Sequence, residues 1–221
     1  MATAVMAEIL RRVAQDVTVD RELRKTVEVR ATQIMNDAAK GLRQEFEKDP
    51  VTREIDGGID AANISETLVG GTSTDQKNLA SFIGFPDGTK PTDEIRKRLD
   101  PASSEGQGPK IASVTKIQDK IPRYVIKIRG PDTEAIYEAT PLPWGDEGGD
   151  MSWVEGIETG IRGFNQFLNR KNPKDHSRSG GGIQVKKELR SAEFKPRPYL
   201  TRLFGEFKAY IETFTKQHYR Q

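Results

Sequence analysis

The stretch SRSGGGIQ, residues 177–184, sets three glycines beside an arginine and two serines, with His176 one position upstream. Consecutive glycines let backbone N–H groups approach an anion with no side chain in the way, which is how phosphate loops work. A nucleotide loop also needs Gly-Lys-Ser/Thr before a helix, whereas Gly180, Gly181 and Gly182 run into Ile-Gln. The lysine and hydroxyl that would hold the phosphates and their metal are therefore missing. Ser177 and Ser179 suggest a hydrolase only superficially, because neighbours in an extended loop do not point at one another and no orienting acid is apparent. A second group, Glu134, Glu138, Asp146, Glu147 and Asp150, offers the oxygen ligands Mg²⁺ prefers, as a nuclease would require. Its spacing matches no ligand pattern, and a solvated acidic face is the better reading. No enzyme activity, cofactor or metal is expected.

Basic residues form the third group. Arg170, Lys171, Lys174, Arg178, Lys186, Lys187, Arg190, Lys195 and Arg197 could lie against phosphates. Aromatics do not interleave with them as a base-stacking platform would require, so DNA contact through this region would be electrostatic and indifferent to sequence.

The elements that must position these groups follow from periodicity. Leu23, Val27, Ala31, Ile34, Ala38, Leu42 and Phe46 recur every three or four residues, the spacing of one helix face. The pattern predicts a helix opened by Asp20 as N-cap and ended by Lys48-Asp49-Pro50, with a shorter helix over 4–16 before it. Beyond Pro50, short strands are expected around Ile64–Leu68 and Asn78–Phe85, and PTDEIRKRLDP reads as a small helix bracketed by prolines. IASVTKIQ and IPRYVIKI read as antiparallel strands because the link between them is too short for a crossover, and AIYEATPLPW reads as a further strand. A helix capped by Asp150 or Ser152 carries Trp153, Ile157 and Ile161. IQVKKELR reads as one more strand, and Arg197-Pro198 introduces a final helix with Leu200, Leu203, Phe204, Phe207, Tyr210, Ile211 and Phe214 on its apolar face.

These elements predict an α+β fold: a small antiparallel β-sheet packed with a long N-terminal helical arm and a C-terminal amphipathic helix. The arm takes residues 1–50 and the α+β domain residues 51–221. An apolar fraction of 34% in 221 residues is lean for a self-sufficient globule and suits a subunit that completes its burial against partners. The chain has no cysteine, so thiolate chemistry is excluded. MATAVMAEILRRV reverses the order of a secretory signal, and no apolar run reaches the roughly 20 residues of a membrane span, so a cytosol-like compartment is expected.

The net charge of +2 conceals a division. Residues 132–160 hold eight acids and no Lys or Arg, while 161–221 hold 14 basic residues against five acids. Such asymmetry can serve a nucleic-acid patch or an acidic face meeting a basic face on the next copy of the same subunit, and it is equally the pattern of two solvated surfaces. Arg178, Lys186, Lys187 and Arg190 would then face Glu134, Glu138, Asp146 and Glu147 across a boundary, with Gly180, Gly181 and Gly182 as a hinge.

Three stretches, NISETLVGGTSTDQKNLASFIGF (63–85), SWVEGIETGIRGFNQFL (152–168), and SRSGGGIQ followed by FKPRPYLTRLFGEFKAYI (194–211), occur in an order and at separations that resemble the neck, or head-tail connector, proteins of T-even-like contractile-tailed bacteriophages. More distantly they are similar to the tail-completion proteins of long-tailed phages. The resemblance implies a structural virion protein forming a homo-oligomeric, usually sixfold ring in the neck. Such a ring lies between portal-side connector or adaptor proteins and the tail terminator, tube or sheath proteins, is assembled in the host bacterial cytoplasm, and passes genomic DNA through its lumen. It further implies that Ser81–Phe85 and Ser177–Ile183 are interface or lumen elements. The alternative from charge alone is a sequence-independent nucleic-acid-binding module using the basic C-terminal third.

Overall fold

The computed structural model describes residues 2–69, 78–86, 88–102, 108–118, 123–143, 151–160, 167–169, 183–185 and 193–219. Helix α1 runs unbroken over Ala2–Lys48, a length of about 70 Å at the usual rise of an α-helix. The separate shorter helix and the Asp20 cap expected from sequence are corrected: residues 17–20 contain neither Gly nor Pro, so nothing stops the helix there. Ala31, Ile34, Met35, Ala38, Ala39, Leu42 and Phe46 line its buried face. At Asp49 the chain turns, and the carboxylate accepts the Val51 N–H at 2.8 Å. That bond caps α2 (Pro50–Asp56), whose first residue is a proline with no N–H to satisfy.

Two expected strands are helices. Residues 79–83 form α3 (Leu79–Ile83): Asn78 Oδ1 accepts the Ser81 N–H at 2.8 Å. Gly84, at φ +86°, closes the far end while the Gly84 and Phe85 N–H groups both donate to the Ala80 carbonyl. A left-handed residue at that point is what glycine supplies cheaply. Residues 133–138 form α5 (Thr133–Glu138), with Asp132 as N-cap, and Pro141 makes only an isolated bridge to Ser152. Between these lie α4 (Asp93–Leu99), as the bracketing prolines predict, and the hairpin of β2 (Lys110–Gln118) and β3 (Arg123–Arg129). Ser152 caps α6 (Trp153–Thr159) through bonds from the Val154 and Glu155 N–H groups.

The remaining strand pairs are short. β1 (Leu68–Val69) pairs antiparallel with β6 (Glu193–Phe194), and β4 (Phe167–Asn169) with β5 (Ile183–Val185). The expected single sheet is thus three separate antiparallel pairs among the described residues, and helices supply most of the core. The last helix, α7 (Leu200–Tyr219), lies along α1. The fold is α+β. Its core gathers Phe46 from α1, Ile55 from α2, Phe82 and Ile83 from α3, Leu99 from α4, Ile136 from α5, Trp153 from α6 and Leu200 from α7. Ring packing fixes their orientation: Phe85 meets Trp153 edge-on at 5.4 Å, and Phe82 stacks on Phe194 at 5.4 Å. The second half of α1 therefore belongs to this core, while residues 19–30 are mostly exposed.

Candidate functional site

Buried polar groups are where chemistry would begin, and in the core several of them hold main chain in place. Glu54 is wholly buried; its two carboxylate oxygens accept the Ser65 N–H at 2.8 Å and the Leu79 N–H at 2.5 Å. It thereby ties α2 to the start of α3 and to the loop between them. Asn78 donates from Nδ2 to the carbonyls of Gly58, Ile59 and Ala61 while its oxygen caps α3. Thr52 and the fully buried Tyr199 share a hydrogen bond at 2.6 Å, and burial raises the Tyr199 phenol well above its ordinary range. Asp49, 2% exposed, also pairs with Arg202.

Two further hubs lie nearer the surface. Glu158 accepts the Tyr199 and Thr201 N–H groups at the start of α7, together with the hydroxyls of Thr201 and Tyr137. A carboxylate at that end also complements the helix dipole. Partial burial, then the bond to Glu158, pushes the Tyr137 phenol upward. Arg96 bridges Glu47, Asp56 and Asp93 and lies over the Phe46 ring at 5.6 Å. Its bond holds the Glu47 carboxyl below the ordinary carboxylate range. With their oxygens committed to backbone donors or cations, Glu54, Glu158 and Asp49 are poor candidates for general bases. Among the described residues no group of three or more His, Asp or Glu is placed to hold a metal ion, and no helix is long and apolar enough to cross a membrane. A shallow groove of about 400 Å³ between α1 and the turn after α4 is lined by Asn36, Lys40, Arg43, Glu47 and Asp100 and bridged by the Arg43–Asp100 pair at 3.6 Å.

The other candidate is a projecting surface. The β2–β3 hairpin roots in the core through Ile111 and Ile128 and leans on the exposed stretch of α1. Near its tip, Tyr124 donates its hydroxyl to Asp20 Oδ1 at 2.8 Å, and Lys116 approaches the same oxygen at 3.1 Å. The Tyr124 bond, followed by Lys116, holds the Asp20 carboxyl below its ordinary value. Strand alternation separates two faces. Ile111, Val114, Lys116, Tyr124, Ile126 and Ile128 are half-buried, and Lys110, Thr115, Val125, Lys127 and Arg129 are exposed. The register places Lys110 opposite Arg129 and Thr115 opposite Val125. The two strands together carry five cations and no acid. Of the nine exposed large apolar residues among those described, five belong to this arm and hairpin: Val19, Leu23, Val29, Ile117 and Val125. Exposed apolar residues gathered on one unit make it a candidate association surface.

Of the residues singled out from sequence, Glu134 and Glu138 sit one turn apart on the exposed face of α5. Asp146, Glu147, Asp150, His176, Ser177, Arg178, Ser179, Gly180, Gly181, Gly182, Lys186, Lys187 and Arg190 lie outside the described residues. The Ser81–Phe85 stretch implied to be an interface is buried in the core instead, because Phe82, Ile83 and Phe85 supply its packing. Tyr210, expected on the apolar face of the last helix, is 46% exposed. Sequence reasoning missed the hairpin's charge, although six cations against one acid over residues 110–129 were legible, and missed the Asp20–Tyr124 clasp, which had no local signal. Comparison of the chain with protein-family models, with curated proteins and with solved structures finds no match.

Proposed function

We propose that the chain is a non-enzymatic structural subunit of a phage neck ring. It would join portal-side connector or adaptor proteins to tail terminator, tube or sheath proteins in the virion, with genomic DNA passing through the lumen. The observation that carries this reading is the arm–hairpin unit: a long helix leaves the core and is braced by a hairpin at Asp20, and the two together bear five of the nine exposed large apolar residues among those described. Subunits of a closed ring present a different surface to each neighbour, and a projecting unit of this kind offers one of them. The core's carboxylates, occupied in fixing backbone, add support for a structural role. The resemblance carried by residues 63–85, 152–168 and 194–211 supplies the neck location and the sixfold expectation.

Native mass spectrometry of the full chain over a range of concentrations tests the reading. A closed oligomer, hexameric by the resemblance, is expected; a monomer throughout counts against it. The basic hairpin and the +9 of residues 161–221 favour one second reading, a sequence-independent nucleic-acid-binding module. Its signature is duplex affinity that falls steeply with salt and ignores sequence.

A further inference from the structure

We infer that the loop of residues 64–69 receives the outer face of the β2–β3 hairpin of a second copy of this chain, with Glu66 meeting Lys127 of the partner subunit. The inference rests on the ring reading and names the two surfaces that meet in it. Its starting point is the backbone of Glu66, which at φ +57° is the one non-glycine residue in the left-handed region among those described. A residue with a Cβ adopts that conformation at a cost, and glycine adopts it freely. Such strain persists only where the surroundings over-determine it, and both neighbours of Glu66 are fixed. Ser65 and Thr67, each 1% exposed, share a bond between their hydroxyls at 2.8 Å. The Ser65 N–H donates to the buried Glu54 carboxylate at 2.8 Å and the Ser65 carbonyl accepts from Arg197 at 2.7 Å. The Thr67 carbonyl accepts the Lys195 N–H at 2.8 Å, and Asn63 closes the neck of the loop by donating to the Leu68 carbonyl at 2.7 Å.

What glycine would lack at this position is the carboxylate, and nothing inside the chain uses it. Glu66 is exposed and makes no ion pair among the described residues, Arg197 being turned to the Ser65 carbonyl instead. Ser65 and Thr67 are buried while Ile64 and Glu66 are exposed, and Val69 emerges just past the closed neck. With Ile64 at 41% and Val69 at 36% exposure, the loop presents a fixed carboxylate flanked by apolar side chains. The outer face of the hairpin has the matching character. Lys127 is exposed and likewise makes no ion pair among the described residues. Val125 lies two residues before it, Thr115 stands opposite Val125 in the ladder, and Ile117 follows two residues along β2. Ile117 is 60% and Val125 39% exposed. An apolar pair with a free anion and an apolar pair with a free cation make the mixture of apolar contact and complementary charge that protein interfaces use. The loop is tied to α2 through Glu54, whereas the hairpin leans on the exposed stretch of α1. A contact between two such different surfaces is head-to-tail, the arrangement that closes into a ring.

Glu66→Gly in the full chain tests the inference with two readouts that move apart. Its unfolding temperature is expected to be no lower than that of the wild type, because relief of the left-handed strain offsets the added freedom of the unfolded chain. Its self-association is expected to weaken about tenfold. Glu66→Lys and Lys127→Glu should each weaken assembly at least as much, and the double variant should recover most of the loss. The chain has no cysteine, so mixing a Glu66→Cys chain with a Lys127→Cys chain allows only intersubunit bonds, and a short thiol crosslinker should yield the mixed dimer. Assembly that is normal in Glu66→Gly and in both reversals, or no mixed crosslink, overturns the inference and leaves the ring reading standing. A Glu66→Gly chain that unfolds several degrees lower also overturns it, since the side chain would then serve its own subunit. A wild-type chain that stays monomeric at every concentration overturns both. Salt-sensitive duplex binding lost in Lys127→Glu, with assembly unchanged, overturns the inference and gives the hairpin face to nucleic acid.

Discussion

Glu54 and Asn78 show what a single side chain contributes here. Replacing Glu54 with Gln turns one of two accepting oxygens into an NH₂ group facing a backbone donor, in a site with no water access. A loss of about 1–3 kcal/mol in urea unfolding is expected, the usual cost of leaving a buried donor unpaired. Asn78→Ala removes the cap of α3 and leaves the Gly58, Ile59 and Ala61 carbonyls without that donor. It should cost about 2 kcal/mol by the same measurement. A stability change under about 0.5 kcal/mol in either variant, the level of an ordinary surface substitution, would show that these bonds do not organise the core.

Among the elements, the hairpin depends most on a titratable group. The Asp20 carboxyl has an ordinary value of 3.8 and is lowered in the folded chain by the Tyr124 hydroxyl and then by Lys116. A depressed acid contributes stability above its unfolded value, and that contribution disappears as pH falls through the folded one. The clasp should therefore hold at neutral pH and loosen below about pH 4. The amide signals of Lys116 and Tyr124 in NMR titrations should report this loosening, while Asp20→Asn should show no such acid step. If the two proteins titrate alike, the clasp is not what fixes the hairpin. Gly84 makes a separate point about elements: at φ +86° it ends α3, so Gly84→Ala is expected to cost about 1 kcal/mol through backbone strain alone.

For the whole molecule, the question is where stability ends and assembly begins. Among the residues of α1 whose burial is described, the buried face starts at Ala31, whereas Leu23 is 41% exposed. Leu23→Asp should leave monomer stability within about 0.5 kcal/mol, as surface substitutions usually do. It should nevertheless reduce oligomer formation in native mass spectra if the arm joins subunits. Loss of both folding and assembly would mean that the arm belongs to the monomer's own core. Equal assembly with and without the substitution would confine the interface to other surfaces.

Local pattern alone specified the stripe of α1 from Ala31 to Phe46, though it also put the exposed Leu23 on it, together with the stop at Asp49-Pro50, the proline-bracketed α4, the helix α6 with its cap left between Asp150 and Ser152, the hairpin strands and the amphipathic α7, because each rests on interactions within a few residues of chain. The absence of cysteine and the segregation of charge were equally plain. The tertiary structure decided what is short or distant. Residues 79–83 and 133–138 are stretches too brief for periodicity to separate helix from strand, and Asn78, Gly84 and Asp132 settled them through caps whose geometry appears only in the fold. The Asp20–Tyr124 bond joins residues 104 positions apart, and Glu54 reaches Leu79 across 25. Which residues meet over such separations is set by the packing of the whole core, so no local signal in the chain could announce them.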